Sequence, residues 1–555
     1  MRDTHRWPVL LYGVVLLGSL VSGAPARAQA VGPDYPTPPS IVYGPLYTAV
    51  ELAPVFADSK TFPDLVPNAA PGDIVAAFEQ QSAAPDFNLA VFVAANFTGP
   101  TPAGPTVPTA ASGQNLLDYI GSLWPVLTQS ATSVPPNSTL LPVPYPYVVP
   151  GGRFRENYYW DSYFAMLGLE GDGDQTLAAQ MLANFAFEID QFGFIPNGNR
   201  SYYLSRSQPP FFSLMVDLVA GNGGGSSLYV TYLPELLREW NYWMSGTSAL
   251  ARGQAAGSAV RLADGTLLNR YFDDRQAPRD ESYLEDVQTA AATPGRSAPI
   301  LWQNLRATAA SGWDFSSRWL ADGQTLGSDR ALDIIPPDLN ALLAHLEQTI
   351  ALGYALHGDV RNAVAFAVRA LTRAAAINRL LFDPAIGAYT DLLWQENRQT
   401  GELTAATLYP LFLTVATPAN ARTVAATVAA KLLDVGGLQT TLIQTGQQWD
   451  YPNGWAPLQW IAVKGLRNYG QTALASTVAS RWIAKNIAGF EAYGQLVEKY
   501  NFSNTTGDAG SGGEYATQTG FGWTNGVIVA LTGLYPALAA EARAAAYHPQ
   551  VASAR

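Results

Sequence analysis

The segment Pro150–Tyr163, PGGRFRENYYWDSY, brings two arginines, two carboxylates and several aromatic rings into one short stretch. Arg153, Glu156, Trp160 and Asp161 offer flat apolar faces beside forked hydrogen-bonding groups. That pairing suits a pyranose, whose C–H faces stack on aromatic rings while its hydroxyls bond guanidinium and carboxylate groups. Gly151 and Gly152 allow a sharp turn or a close backbone approach to a ligand. The competing reading is a tight turn entering a buried helix whose aromatics are core.

Breaking a glycosidic bond needs two carboxyl groups in different protonation states, one to protonate the departing oxygen and one to serve the nucleophile. Asp314, in SGWDFSSRW, stands between Trp313 and Phe315. Apolar neighbours raise a carboxyl pKa and keep the group protonated, which suits the acid. A helix N-cap or an ion pair with Arg318 is the alternative for Asp314. Local sequence singles out no partner for it among the other carboxylates.

A second segment, Gln447–Pro457 (QQWDYPNGWAP), contributes Gln448, Trp449, Asp450, Asn453 and Trp455. The two segments resemble the paired signatures of the trehalase family. Phe56–Pro67 (FADSKTFPDLVP), Arg279–Asp286 (RDESYLED), Ser311–Trp319 and Gly513–Gly526 (GEYATQTGFGWTNG) are similar to that family as well, so the resemblance spans almost the whole mature chain.

The resemblance implies an all-α (α/α)6 toroid with its site at one end, and hydrolysis of α,α-trehalose to two glucose molecules with inversion. Asp314 would be the general acid, and Glu498, in LVEKYN, the general base. Arg153, Arg206 and Arg279 would bind substrate, with Trp160, Asp161, Asn197, Ser207, Gln208, Asp280, Glu281, Gly312 and Glu514 as further sugar contacts. No metal or organic cofactor is implied. Without the resemblance, Glu498 reads as an exposed helix carboxylate and each arginine as a surface ion pair. Trp449 and Trp455 fit stacking on sugar or packing on a rim. The glycine-rich stretch Thr506–Gly513 before Glu514 reads as a lid, or as an ordinary loop. A phosphorylase, in which the arginines hold phosphate, and a non-catalytic periplasmic sugar-binding protein are the rival functions.

Holding such groups in place requires a large scaffold. Of 555 residues, 48% are hydrophobic and only 14% charged, enough apolar material for one large core. The formal charge of −12 argues against nucleic acid and anionic membranes as partners and favours a small neutral substrate. A monomer is expected. With no cysteine, the fold must rest on packing.

Arg2 and Arg6, an apolar run from Val9 to Val21 and small residues up to Ala30 read as a cleaved signal peptide over 1–30, which puts the mature protein in the periplasm with no membrane anchor. Residues 31–150, rich in proline, read as an irregular arm packed on the core, with one or two helices. In one of these, Leu116, Ile120, Leu123, Trp124 and Leu127 share a face and Pro125 marks a kink or an end. The catalytic domain is expected over 151–545 and a disordered tail over 546–555.

Helical periodicity recurs at 175–192, 227–244, 337–357, 360–381, 421–433, 457–469, 472–487 and 523–534. In 360–381 the apolar spacing selects Val364, Val368, Leu371 and Ala375 as the inward face, with Arg361, Arg369 and Arg373 elsewhere. Gly221–Ser227 lacks the rest of a phosphate loop, and Asp172 and Asp174 read as a turn rather than a calcium site. The four histidines support neither a zinc cluster nor a Ser-His-Asp triad.

Overall fold

A computed structural model describes residues 36–53, 55–100 and 104–549; the expected signal peptide lies outside them. Among these residues no helix is long and apolar enough to cross a membrane. The arm is more helical than its composition implies, with α1 (Pro45–Leu52), α2 (Pro71–Gln81), α3 (Leu89–Asn96) and α4 (Leu116–Leu127). Proline begins α1 and α2, where its missing N–H costs nothing, so a residue read as a breaker acts as a starter. In α4 the expected face is buried, Asn115 Oδ1 caps Asp118 N at 3.0 Å, and the helix ends two residues after Pro125.

The rest of the chain forms helix pairs: α5 (Tyr159–Asp172) with α6 (Gln175–Phe192), then α7 (Phe212–Val219) with α8 (Leu233–Trp243). An insertion follows, with the three-stranded meander β1 (Gln254–Ala256), β2 (Ala259–Arg261), β3 (Leu267–Asn269) and helices α9 (Tyr283–Ala291) and α10 (Ala298–Ala310). The pairs resume with α11 (Pro337–His357) and α12 (Val360–Leu380), α13 (Tyr409–Phe412) and α14 (Pro418–Lys431), α15 (Ala456–Asn468) and α16 (Thr472–Tyr493), and α17 (Gly522–Leu534) and α18 (Pro536–Ala544). The first member of each pair packs on the first member of the next, and α17 returns to α5, which closes a ring. This is the expected (α/α)6 toroid.

Inner and outer helices differ as their surroundings demand. Every residue from Tyr159 to Leu169 of α5 is buried, as is every residue from Gly522 to Thr532 of α17; helices apolar all round belong inside. Two inner-to-outer reversals use the same device. Gly173 and Gly358 end α5 and α11 in the left-handed region, and the following Asp174 and Asp359 cap α6 and α12. The DGD sequence is therefore a helix reversal.

One helix face differs from the sequence reading. In α12, Val364, Val368 and Leu371 are exposed, while Phe366, Ala370, Ala376 and Ile377 face inward together with Arg373. The reason lies on other elements. Arg373 pairs with Glu347 of α11 at 2.9 Å and also bonds Asn269 and Asn340, so its charge is satisfied inside. Arg373→Met is expected to cost about 3–5 kcal/mol by stranding Glu347, read as a lower midpoint in urea unfolding.

The chain's end also departs from expectation. Ala546 bridges Asn115, and Tyr547 exchanges backbone hydrogen bonds with residues 113 and 114, so the first part of the supposed tail is fastened to α4's entry.

Candidate active site

The segments that lead from an outer helix into the next inner helix gather at one end of the ring. Trp160 and Asp161 open α5, Arg206 and Gln208 precede α7, and Arg279 and Asp314 lie in the insertion before α11. Gln448, Trp449 and Trp455 precede α15, and Glu498 and Glu514 precede α17. All of these side chains line one cavity, with about 790 Å³ of space counted out through its open mouth. Arg153, Asn197, Glu281 and Gly312 line it too. Gly312 has a positive φ of 74°, and a Cβ there would sit 2.8 Å from the Trp160 indole, so glycine is what the packing admits.

Asp314 and Glu498 face this cavity from different segments and in different surroundings. Burial pushes Asp314 up to about 7, with the Glu514 charge adding to the rise and Arg279 and Arg206 opposing it. The Asp314 carbonyl accepts from Gln448 Nε2 at 2.5 Å. Neither alternative for Asp314 holds: Ser316 caps the short helical turn at 317–319, and Arg318 pairs with Asp338 and Asp391. Glu498 is buried, and donors surround it. Tyr515 Oη donates to Oε1 at 2.7 Å, and Lys499 Nζ lies 3.2 Å from Oε2. Asp161 lies near both carboxyls, and burial followed by the Glu498 and Asp314 charges pushes its pKa well above the usual range.

The arginines that line the cavity are held by carboxylates. Arg206 donates to Glu281 at 2.6 Å and Asn197 at 3.0 Å, and its Nη1, which makes no hydrogen bond, lies 3.5 Å from the Asp273 carboxylate. Against the upward push of burial, Arg206 and Arg279 hold Glu281 down to about 2. Arg279 forks onto Asp286 and reaches Glu514 at 2.8 Å. Arg153 lies 5.1 Å from the Tyr515 ring centroid, and its buried Nε has no acceptor. Beneath these groups Trp449 stacks on Trp455 at 3.9 Å and on Trp313 at 5.4 Å, so both of its faces are taken. Trp449 and Trp455 thus form a stacked floor to the cavity.

The profile of the trehalase family matches residues 54–536. The chain belongs to the trehalase family. It is 51% identical over 522 residues to the periplasmic trehalase of Xanthomonas axonopodis pv. citri, covering 93% of this chain and 90% of that one. To the periplasmic trehalase of Salmonella agona it is 48% identical over 525 residues, covering 94% and 91%. The solved neutral trehalase Nth1 of Saccharomyces cerevisiae superposes with a TM-score of 0.60 at 28% identity, over 72% of this chain and 76% of that chain.

Not every residue picked out in the sequence reaches the cavity. Asp280 points toward the arm, where Arg275 Nη1 and Ser40 N donate to its carboxylate at 2.9 and 3.0 Å. Ser207 is buried beside the cavity, its hydroxyl turned to the Gln208 carbonyl. Glu156 does not offer itself to a sugar, because Lys60 and Arg200 bond it and, against burial, hold its pKa down to about 2. Asp450 accepts from Ser316, Ser317 and Thr441 behind the floor. Asn453 ties the glycine-rich stretch down, with Nδ2 to Ser511 O at 2.6 Å.

Other lining residues were not singled out individually, although most belong to the segments named above. Lys60 comes from the arm, and Phe154, Tyr158, Tyr203, Tyr515, Phe521 and Trp523 add aromatic wall. Tyr515 was the most accessible to sequence reasoning, since it adjoins Glu514. Arg153→Lys keeps the charge but loses the planar guanidinium that packs by Tyr515 and can fork onto two hydroxyls. It is expected to lower kcat/KM by about 10- to 100-fold, the worth of one charged hydrogen bond, and wild-type kinetics would return Arg153 to a structural role.

Proposed function

We propose that this chain is a periplasmic α,α-trehalase that cleaves the 1,1-linkage with inversion. The observation that carries the reading is that Asp314 and Glu498, far apart in sequence, line one cavity with opposite surroundings: burial keeps the first protonated, and donors alone contact the second. Asp314 gives its proton to the bridging oxygen as the C1–O bond breaks. Glu498 takes a proton from a water molecule whose oxygen forms the new bond to C1 on the opposite face. The attacked unit leaves as β-glucose and the other as α-glucose, with no net change in either carboxyl after proton exchange with solvent. An inverting pair requires a separation of about 6.5–9.5 Å, room for that water.

Arg153, Arg206 and Arg279 bind the sugar with Trp160, Asp161, Asn197, Gln208, Glu281, Gly312 and Glu514, and the protein acts as a monomer. The relatives' names and the leader expected at residues 1–30 support the periplasmic location. Phosphorolysis is disfavoured because Arg206 and Arg279 are already neutralised by carboxylates. Following the anomeric protons of the products by NMR, with trehalose as substrate, tests the reading. One β- and one α-glucose are expected at early times; two α-glucose molecules would refute inversion, and a requirement for phosphate would refute hydrolysis. The Asp314 pKa also fixes a sign. The acid works only while protonated, so kcat/KM is expected to fall as pH rises through about 7, and a profile flat from pH 6 to 9 would remove Asp314 from the role.

A further inference from the structure

The acid–base reading leaves one fully buried amine without a task. Lys499 Nζ stands 3.2 Å from Glu498 Oε2 and 3.0 Å from Gln448 Oε1, and 5.1 Å from the ring centroids of both Trp455 and Tyr515. Gln448 in turn donates to the Asp314 carbonyl. A continuous polar chain therefore runs from Glu498 through Lys499 and Gln448 to Asp314. Both middle members are mounted rigidly. Strand β4 (Asn453–Trp455) pairs with β5 (Lys499–Asn501), placing Lys499 opposite Trp455, and the Gln448 carbonyl accepts from Asn453 Nδ2 and Trp455 Nε1 at 3.1 and 3.0 Å.

A buried ammonium is costly unless well paired, and its partners here are the base itself and an amide that holds the main-chain carbonyl of Asp314. We propose that Lys499 and Gln448 are positioning residues, a strut that fixes the Glu498 carboxylate relative to Asp314 and so sets the gap that admits one water. The charged or titratable groups around Glu498 are Lys499, Tyr515 and Asp161. Of these three, Lys499 supplies the positive charge.

This inference rests on the roles proposed for Asp314 and Glu498. The test uses the purified protein with Lys499→Met, Lys499→Gln, Glu498→Gln and the double variant Glu498→Gln/Lys499→Met. Lys499→Met is expected to lower kcat by about 100-fold with KM within about 3-fold, and Lys499→Gln by about 10-fold, within the range that general-base positioning controls. In both, kcat falls while KM holds, the split expected of a residue that positions the base without binding the sugar. In the Glu498→Gln background, Lys499→Met adds no further loss, since its effect passes through the base. Wild-type kcat in Lys499→Met, a loss that appears in KM instead of kcat, or a further loss on adding Lys499→Met to Glu498→Gln overturns the strut. Should Lys499→Met not fold, Lys499→Gln is judged by the same split between kcat and KM and by the same comparison in the Glu498→Gln background. Wild-type turnover in Glu498→Gln would instead overturn the acid–base reading itself.

Discussion

Asp314→Asn is expected to lower kcat by about 100- to 10,000-fold, the usual contribution of a general acid, while leaving the fold as stable as before or more so. The two halves of that expectation share one cause. Burial raises the folded-state pKa of Asp314 to about 7, well above its unfolded value near 3.8. Between those values the folded protein binds more protons than the unfolded chain, so stability falls as pH rises across that window. Above about pH 7 the folded protein must keep this carboxylate charged in apolar surroundings. Asparagine removes that penalty and with it the transferable proton. The check is kcat together with the melting temperature at pH 8: a large loss of activity with an unchanged or higher melting temperature is expected. Activity and stability falling together would mark Asp314 as structural.

Glu498→Gln carries an equal expected loss, about 100- to 10,000-fold in kcat, for the opposite reason. Here the surroundings supply donors, and an amide nitrogen in the carboxylate's place meets the Lys499 amine or the Tyr515 hydroxyl with no acceptor to offer. The water then lacks a base, whereas the arginines and the tryptophan floor that bind the sugar are untouched. KM is therefore expected to stay within about 3-fold while kcat collapses, the signature of an interaction made in the transition state. A variant losing affinity rather than turnover would make Glu498 a binding residue.

Chemistry written in contiguous segments was legible early. Trp160 and Asp161 begin an inner helix, and the Trp313–Asp314–Phe315 neighbourhood correctly announced a carboxyl with a raised pKa, because the flanking rings are themselves buried. Helix positions at 175–192 and 337–357 followed from periodicity and agree with the structure. Orientation was less accessible. In α12 two apolar stripes compete, and only the Glu347, Asn269 and Asn340 partners, which lie on other elements, bring the Arg373 side inward. Asp280 and Glu156 look as suitable as Asp161 in the sequence, yet Arg275 and Ser40 claim one, and Lys60 and Arg200 the other.

Amino-acid order by itself determined the all-helical architecture, the family, and the residue types a glycoside site demands, since those depend on local spacing and on motifs of adjacent residues. Tertiary structure alone decided that Asp314 and Glu498 share a cavity, which carboxylates are free to meet a sugar, and that Lys499 and Gln448 connect acid to base. Each of those facts is a contact between segments brought together by closure of the helical ring, and a carboxylate's protonation and availability depend on which charges and donors reach it through space, whatever their distance along the chain.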